Sequence, residues 1–144
     1  MKELDIVKFL KYFFKKIEDK NLLYRISGSL ALKVQGMEYV PKDIDIICDN
    51  FSYVELKYLF QDYIIKEGRK KDLIGNYFLL DFNGIEVDIL SFDDENISML
   101  DEIYTVTWHK LELPVLPLGE TQKFYELTNR YDKAQRIKQY LDSL

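Results

Sequence analysis

The sequence predicts an α/β (α+β) domain, a mixed, twisted sheet with helices on its flanks. Three observations predict it. Short segments at 43–48, 77–82 and 85–90 are apolar with a two-residue period, the mark of strands. Segments near both ends of the chain carry apolar residues every three or four positions, the mark of helices. The 144 residues, 47% apolar and 31% charged, fit one folded unit over 1–144 and leave little room for two.

The elements follow in order. Leu4, Val7, Leu10, Phe14 and Ile17 form one apolar stripe of a first helix, with Lys8, Lys11, Lys15 and Lys16 on the wet side. Segment 22–27 reads as a short strand. Gly28-Ser29 follows at once, then a two-turn helix over 30–35, with Gly36 placed for a left-handed cap. Residues 37–42 form a loop stiffened by Pro41, and 43–48 is a strand. A helix over 52–60 has Ser52 as N-cap and Glu55 as its capping-box partner.

Segment 64–71 is strand and turn, ending in Arg69-Lys70-Lys71, which reads as a solvated turn. Asn83-Gly84 joins 77–82 to 85–90 in a hairpin. An acidic loop spans 92–102, a strand candidate 104–108, and Pro114 with Pro117 marks an extended connector. Two closing helices at 120–128 and 132–144, within a closing region of about 119–144, break near Asn129. The second carries Ala134, Ile137 and Leu141 on one face. The strands 43–48 and 85–90 are expected to be neighbours, and helices from both ends of the chain to cover one face of the sheet.

Composition excludes several functions. The single cysteine, Cys48, makes no internal disulfide and reads as buried and inert. One histidine and one cysteine do not build a Cys/His zinc site. No nucleophile-elbow pattern appears, and His109, next to Trp108, reads as structural. No apolar run reaches the length of a membrane span, and the acidic, lysine-rich start is no signal peptide. A cytoplasmic protein is expected, which makes the sequon Asn96-Ile97-Ser98 irrelevant. With 20 basic and 25 acidic residues the net charge is −5, a poor match for wrapping extended DNA.

Chemistry concentrates in two strands. In Asp43-Ile44-Asp45-Ile46 the two aspartates share one face, about 6.5–7 Å apart along the strand, while the isoleucines enter the core. Adjacent carboxylates repel unless a cation sits between them, and oxygen-only ligands suit Mg²⁺ or Mn²⁺. In Glu86-Val87-Asp88-Ile89, Asp88 lies between two core-facing residues, and Glu86 reads as solvated. With the strands adjacent, Asp43, Asp45 and Asp88 form a candidate site for two metal ions of the kind that drives in-line phosphoryl displacement. A calcium loop beginning at Asp43 is excluded, because Ile47 and Cys48 occupy its ligand and glycine positions. Gly28-Ser29 opens a helix, where free N–H groups, a hydroxyl and the absent side chain suit a phosphate; the same pair also reads as an ordinary capped turn. Arg130, Lys133 and Arg136 near the closing helices read either as a basic wall for a triphosphate or as a solvated face.

Taken together, strand, Gly28-Ser29, short helix, Asp43-Ile44-Asp45-Ile46 and a later Val87-Asp88-Ile89 resemble the nucleotidyltransferase superfamily, with the polymerase-beta-like fold. The likeness extends to Gln35-Gly36, to Pro114-Val115-Leu116-Pro117-Leu118 and to Arg130-Tyr131-Asp132-Lys133-Ala134, as in small stand-alone proteins of that superfamily. It implies that Gly28 and Ser29 hold the nucleotide's phosphates. It implies that Asp43 and Asp45 bind metal, and that Asp88 completes the site and helps activate the acceptor. Many active members have an arginine directly after Gly-Ser, where this chain has Leu30, and Ser or Thr before the first Asp, where it has Pro41-Lys42. Lys42 is then the candidate for the missing positive charge. The implied activity is Mg²⁺-dependent transfer of a nucleoside monophosphate from an NTP to a hydroxyl on a protein, an RNA or a small molecule, with a partner protein as a candidate for the acceptor side. The alternative is a non-catalytic nucleotide-binding or antitoxin-like regulatory module of the same fold. The intact acids favour the first, the small size and Leu30 the second.

Overall fold

Side-chain alternation along two central strands places apolar groups on both faces of a sheet, so both faces need cover. The computed structural model describes residues 2–70, 75–92 and 99–144. Its elements are α1 (Lys2–Ile17), β1 (Tyr24–Ser27), α2 (Gly28–Val34), β2 (Ile44–Cys48), α3 (Asn50–Leu59), a single 3₁₀ turn (Gln61–Tyr63), β3 (Ile64–Lys70), β4 (Gly75–Phe82), β5 (Ile85–Ser91), β6 (Thr105–Trp108), β7 (Leu111–Pro114), α4 (Leu118–Leu127) and α5 (Tyr131–Asp142). Five strands form a mixed sheet in the order β1-β2-β5-β4-β3. β2 and β5 run parallel and the other neighbours antiparallel. β6 and β7 form a separate hairpin, and Val115 just beyond it bridges to Ile26 of β1.

Ile44, Ile46 and Cys48 of β2 and Ile85, Val87 and Ile89 of β5 face one core, with Ile6, Phe9, Leu10 and Phe13 of α1 and Tyr53 and Leu56 of α3. Ile47 and Leu90, which lie opposite each other in the register, face a second core with Phe124 and Tyr125 of α4 and Ala134 and Ile137 of α5. The terminal helices therefore cover opposite faces, not the single face expected from the sequence. An amphipathic stripe says that a helix has an inner side, but not which side of the sheet that inner side meets.

Local details refine other expectations. The buried stripe of α1 is rotated toward Ile6, Phe9 and Phe13, while Leu4 is exposed and Phe14 half-buried. Burying the bulkier aromatic side removes more apolar area from water. The α2 helix ends in a Schellman cap: Gly36 N–H donates to the Lys33 carbonyl at 3.0 Å and Met37 N–H to that of Leu32 at 3.1 Å, with Gly36 at φ 111°. The N-cap of α3 is Asp49, whose Oδ1 accepts from Ser52 N–H at 2.8 Å. Ser52, expected as the cap, lies within the first turn, and its Oγ accepts from Leu23 N–H at 2.8 Å. Asn83 (φ 51°) and Gly84 (φ 89°) form the hairpin turn between β4 and β5.

The expected connector around Pro114 is instead strand β7. It pairs with β6 through a turn at His109 (φ 48°) and Lys110 (φ 65°), two non-glycine residues that gave no turn signal in the sequence. Asn129 (φ 61°) breaks the closing helices at the expected place, and Leu141 is more exposed than Ala134 and Ile137. Lys71, most of the acidic loop and the sequon at 96–98 lie outside the described residues. Among the described residues no helix is long and apolar enough to cross a membrane.

Candidate active site

The row of functional groups is set by strand register. Ser27 of β1 lies opposite Asp45 of β2, and Asp45 lies opposite Asp88 of β5. Neighbouring strands are about 4.7–4.9 Å apart, so the three residues form one line across the sheet. Asp43, in the bend two residues before Asp45, opens on the same side. Because Ile44 and Ile46 are fully buried in the opposite core, the aspartates turn toward the α4–α5 side.

Gly28 closes the row from below. Its φ of 66° carries the chain from β1 straight into α2. A side chain there would overlap Asp45 Oδ2 and bring its Cβ to 2.8 Å from Asp45 Cγ. The glycine is thus required twice, by backbone conformation and by the close approach of the carboxylate. This contact ties the Gly28-Ser29 turn to the Asp-x-Asp strand, two motifs that the sequence shows only as separate.

These residues open into a cleft of about 280 Å³, lined by Ser27, Gly28, Ser29, Asp43, Asp45 and Asp88 on the sheet side and by Phe124, Tyr125, Arg130 and Lys133 on the helical side. The far wall is cationic and rests on aromatic rings. The Arg130 guanidinium lies 5.4 Å from the Tyr125 ring centre and 5.6 Å from that of Phe124, and Lys133 Nζ lies 5.6 Å from Tyr125. Burial pushes the Tyr125 phenol up to about 12, with the negative charge of Asp45 adding to the effect and Arg130 opposing it. Tyr125 is therefore a neutral hydroxyl at physiological pH. Three carboxylates face two cations across the cleft, an arrangement suited to a group that is itself polyanionic and carries a cation with it.

The cleft gathers Gly28, Ser29, Asp43, Asp45, Asp88, Arg130 and Lys133 as expected. It leaves out Lys42, which is exposed and does not line it. Leu30 is wholly buried in the core, so the position after Gly-Ser brings no charge to the cleft. Arg136 lies outside the lining, over the Tyr39 ring at 4.6 Å. His109 sits elsewhere, with Nε2 2.7 Å from Glu3 Oε1. Burial pushes the Cys48 thiol well up, which keeps it protonated and unreactive. Glu86 is exposed, as expected of a solvated strand residue. Sequence reasoning missed Phe124 and Tyr125. Their signal was two adjacent aromatics five and six residues before Arg130, readable only as ordinary core.

Among the described residues, no three His, Cys, Asp or Glu side chains gather closely enough to cage a metal ion alone. The expected three-carboxylate metal cluster is thus not assembled as such; β2 begins at Ile44, and Asp43, expected within the strand, lies in the bend before it. The donor set still fits Mg²⁺, an ion that keeps waters and is held by one or two carboxylates together with substrate phosphates. Asp45 on β2, Asp43 in the bend just before it and Asp88 beside Asp45 offer oxygen donors of that kind.

Neither a protein-family model nor a curated protein sequence matches the chain. Solved structures do. A candidate nucleotidyltransferase from Thermotoga maritima superposes with a TM-score of 0.77 at 22% identity, covering 100% of this chain and 97% of that one. ANT(2″)-Ia, solved in complex with adenylyl-2″-tobramycin, gives a TM-score of 0.60 at 13% identity over 96% of this chain and 98% of its own. The lincosamide antibiotic adenylyltransferase LnuA, solved with lincomycin, gives 0.57 at 14% identity over 90% and 96%. At such identities the likeness speaks for architecture alone: the chain has the nucleotidyltransferase fold.

Proposed function

We propose that this chain is a Mg²⁺-dependent nucleotidyltransferase that moves a nucleoside monophosphate from an NTP to an acceptor hydroxyl. The observation that carries the reading is the Ser27–Asp45–Asp88 row, with Gly28 pressed against Asp45, facing Arg130 and Lys133 across one cleft. Ser29 and the bare backbone at Gly28 take the phosphate tail. Arg130 and Lys133 hold the phosphate charge that grows as pyrophosphate leaves. Asp43 and Asp45 would hold the divalent ion together with phosphate oxygens; when bound, that ion neutralises charge on the α-phosphate and orients it. Asp88 accepts the proton of the acceptor hydroxyl. The acceptor oxygen forms a bond to the α-phosphorus, and the bond from that phosphorus to the bridging oxygen of pyrophosphate breaks.

The second reading, a nucleotide-binding regulatory module, has one observation in its favour: Leu30 stands in the core where many active relatives of this fold place a cation. A single experiment separates the two. The protein is incubated with each of the four NTPs, labelled on the α-phosphate, with Mg²⁺ and a host lysate. A labelled product that disappears with Asp45→Asn supports the enzyme. NTP binding without any transfer supports the module, and absence of binding removes both.

A further inference from the structure

The basic face of α5 extends past the cleft. Arg130 is the N-cap residue of α5, and Lys133 and Arg136 follow in its first two turns, neighbours at three-residue spacing. None of the three forms an ion pair among the described residues. Each is carried on an aromatic ring instead, and the outermost, Arg136, lies 4.6 Å from the ring centre of Tyr39. A guanidinium held on a ring keeps its N–H donors available, in a fork that matches phosphate. Tyr39 Oη is buried and has no hydrogen-bond partner among the described residues. Tyr39 belongs to the loop that leads directly into Asp43, and it lies near enough to the cleft residue Tyr125 to act on its phenol.

Arg130 and Lys133 line the cleft, whereas Arg136 and Tyr39 lie outside its lining. We propose that Arg136, seated on Tyr39, is a phosphate-binding subsite for the acceptor, and that the acceptor is itself phosphate-bearing, a nucleotide or the end of a nucleic-acid strand. This rests on the nucleotidyltransferase reading above. Successive cations suit the backbone phosphates of such an acceptor, while the buried Phe124 and Tyr125 rings lie beneath Arg130 and Lys133 and position them. An amine-rich acceptor would meet like charge along the same wall and be disfavoured. The net charge of −5 does not oppose the assignment, because the positive charge is local.

The test uses two acceptor probes, AMP and a short 5′-phosphorylated single-stranded RNA, with calorimetry of ATP plus Mg²⁺ run alongside. Arg136 is exposed, so Arg136→Ala is expected to melt like the parent. It should weaken at least one probe by about tenfold or more, the effect of losing a charge-assisted hydrogen bond, and leave ATP affinity unchanged. If the RNA binds, its log–log salt slope should fall by about 0.7, one phosphate contact, and Arg136→Lys should restore part of the affinity. Binding of AMP or of RNA alone identifies the source of the phosphate. The proposal is overturned if the parent binds ATP but neither probe. It is equally overturned if Arg136→Ala leaves both probes unaffected, or if ATP weakens by the same factor, which would place Arg136 in the NTP site. Failure of the parent to bind ATP removes the nucleotidyltransferase reading, and the acceptor assignment with it.

Discussion

Replacing Gly28 with alanine tests the link between the phosphate turn and the carboxylate row. Two costs combine. An L-residue in the left-handed region loses about 1–2 kcal/mol, and Gly28 sits at φ 66°. The new Cβ overlaps Asp45 Oδ2 and stands 2.8 Å from its Cγ, so the carboxylate must leave its rotamer, at about 0.5–1.5 kcal/mol. The sum is about 1.5–3.5 kcal/mol. For 144 residues the unfolding entropy is about 0.3 kcal/mol/K, so the melting temperature should fall by about 5–12 °C. The assay is a double-mutant cycle by thermal melting, with Gly28→Ala measured in the parent and in an Asp45→Ala background. In the second background the carboxylate is gone and chiefly the backbone cost remains, so the two changes should couple by about 0.5–1.5 kcal/mol. ATP binding with Mg²⁺ should be lost in the single variant, because displaced Asp45 no longer stands beside Asp88. Equal destabilisation in both backgrounds would refute the argument that the carboxylate is what excludes a side chain at Gly28.

Three further outcomes are expected. Asp88→Asn should leave the metal-free protein as stable or slightly more stable, since it removes one charge from a row of carboxylates, while nucleotide transfer falls by orders of magnitude; near-normal transfer would end the role assigned to Asp88. Ser29→Ala should weaken nucleotide binding by about 1.5–3 kcal/mol with the fold intact, as read by calorimetry and melting; unfolding would mark Ser29 as a structural cap. Tyr24 and Tyr125 have phenols raised to about 12, chiefly by burial, above the usual 10 of the unfolded chain. Their contribution is complete below pH 10 and is lost as pH rises toward 12, so melting temperatures should fall across that window, and fall less steeply for Tyr125→Phe; a flat profile would contradict the burial of these rings.

Much of the site was legible because its signals are local. A two-residue period puts Asp45 on the face opposite Ile44 and Ile46, and Asp43, in the bend before β2, lines the same cleft. Asn83-Gly84 dictates a tight turn, and the Gly28-Ser29 junction marks a change from strand to helix. The adjacency of strands β2 and β5 followed from placing three acids where one function needs them, and the register sets Asp45 opposite Asp88. The α3 cap was misread because Asp49 and Ser52 are both good capping residues, and only the fold shows that the Ser52 hydroxyl accepts from the distant Leu23 N–H while the Asp49 carboxylate accepts from Ser52 N–H.

The sequence alone determined the carboxylate face, the glycine turn and the hairpin, since backbone sterics and side-chain alternation act over two to four residues. Tertiary structure alone decided which face of the sheet each terminal helix covers. It also decided that Phe124 and Tyr125 carry Arg130 into the cleft while Lys42 stays outside it. The physical reason is that burial is non-directional. A stripe of apolar residues gains the same free energy against any complementary surface, so its partner is chosen by how the whole chain packs and not by the stripe itself.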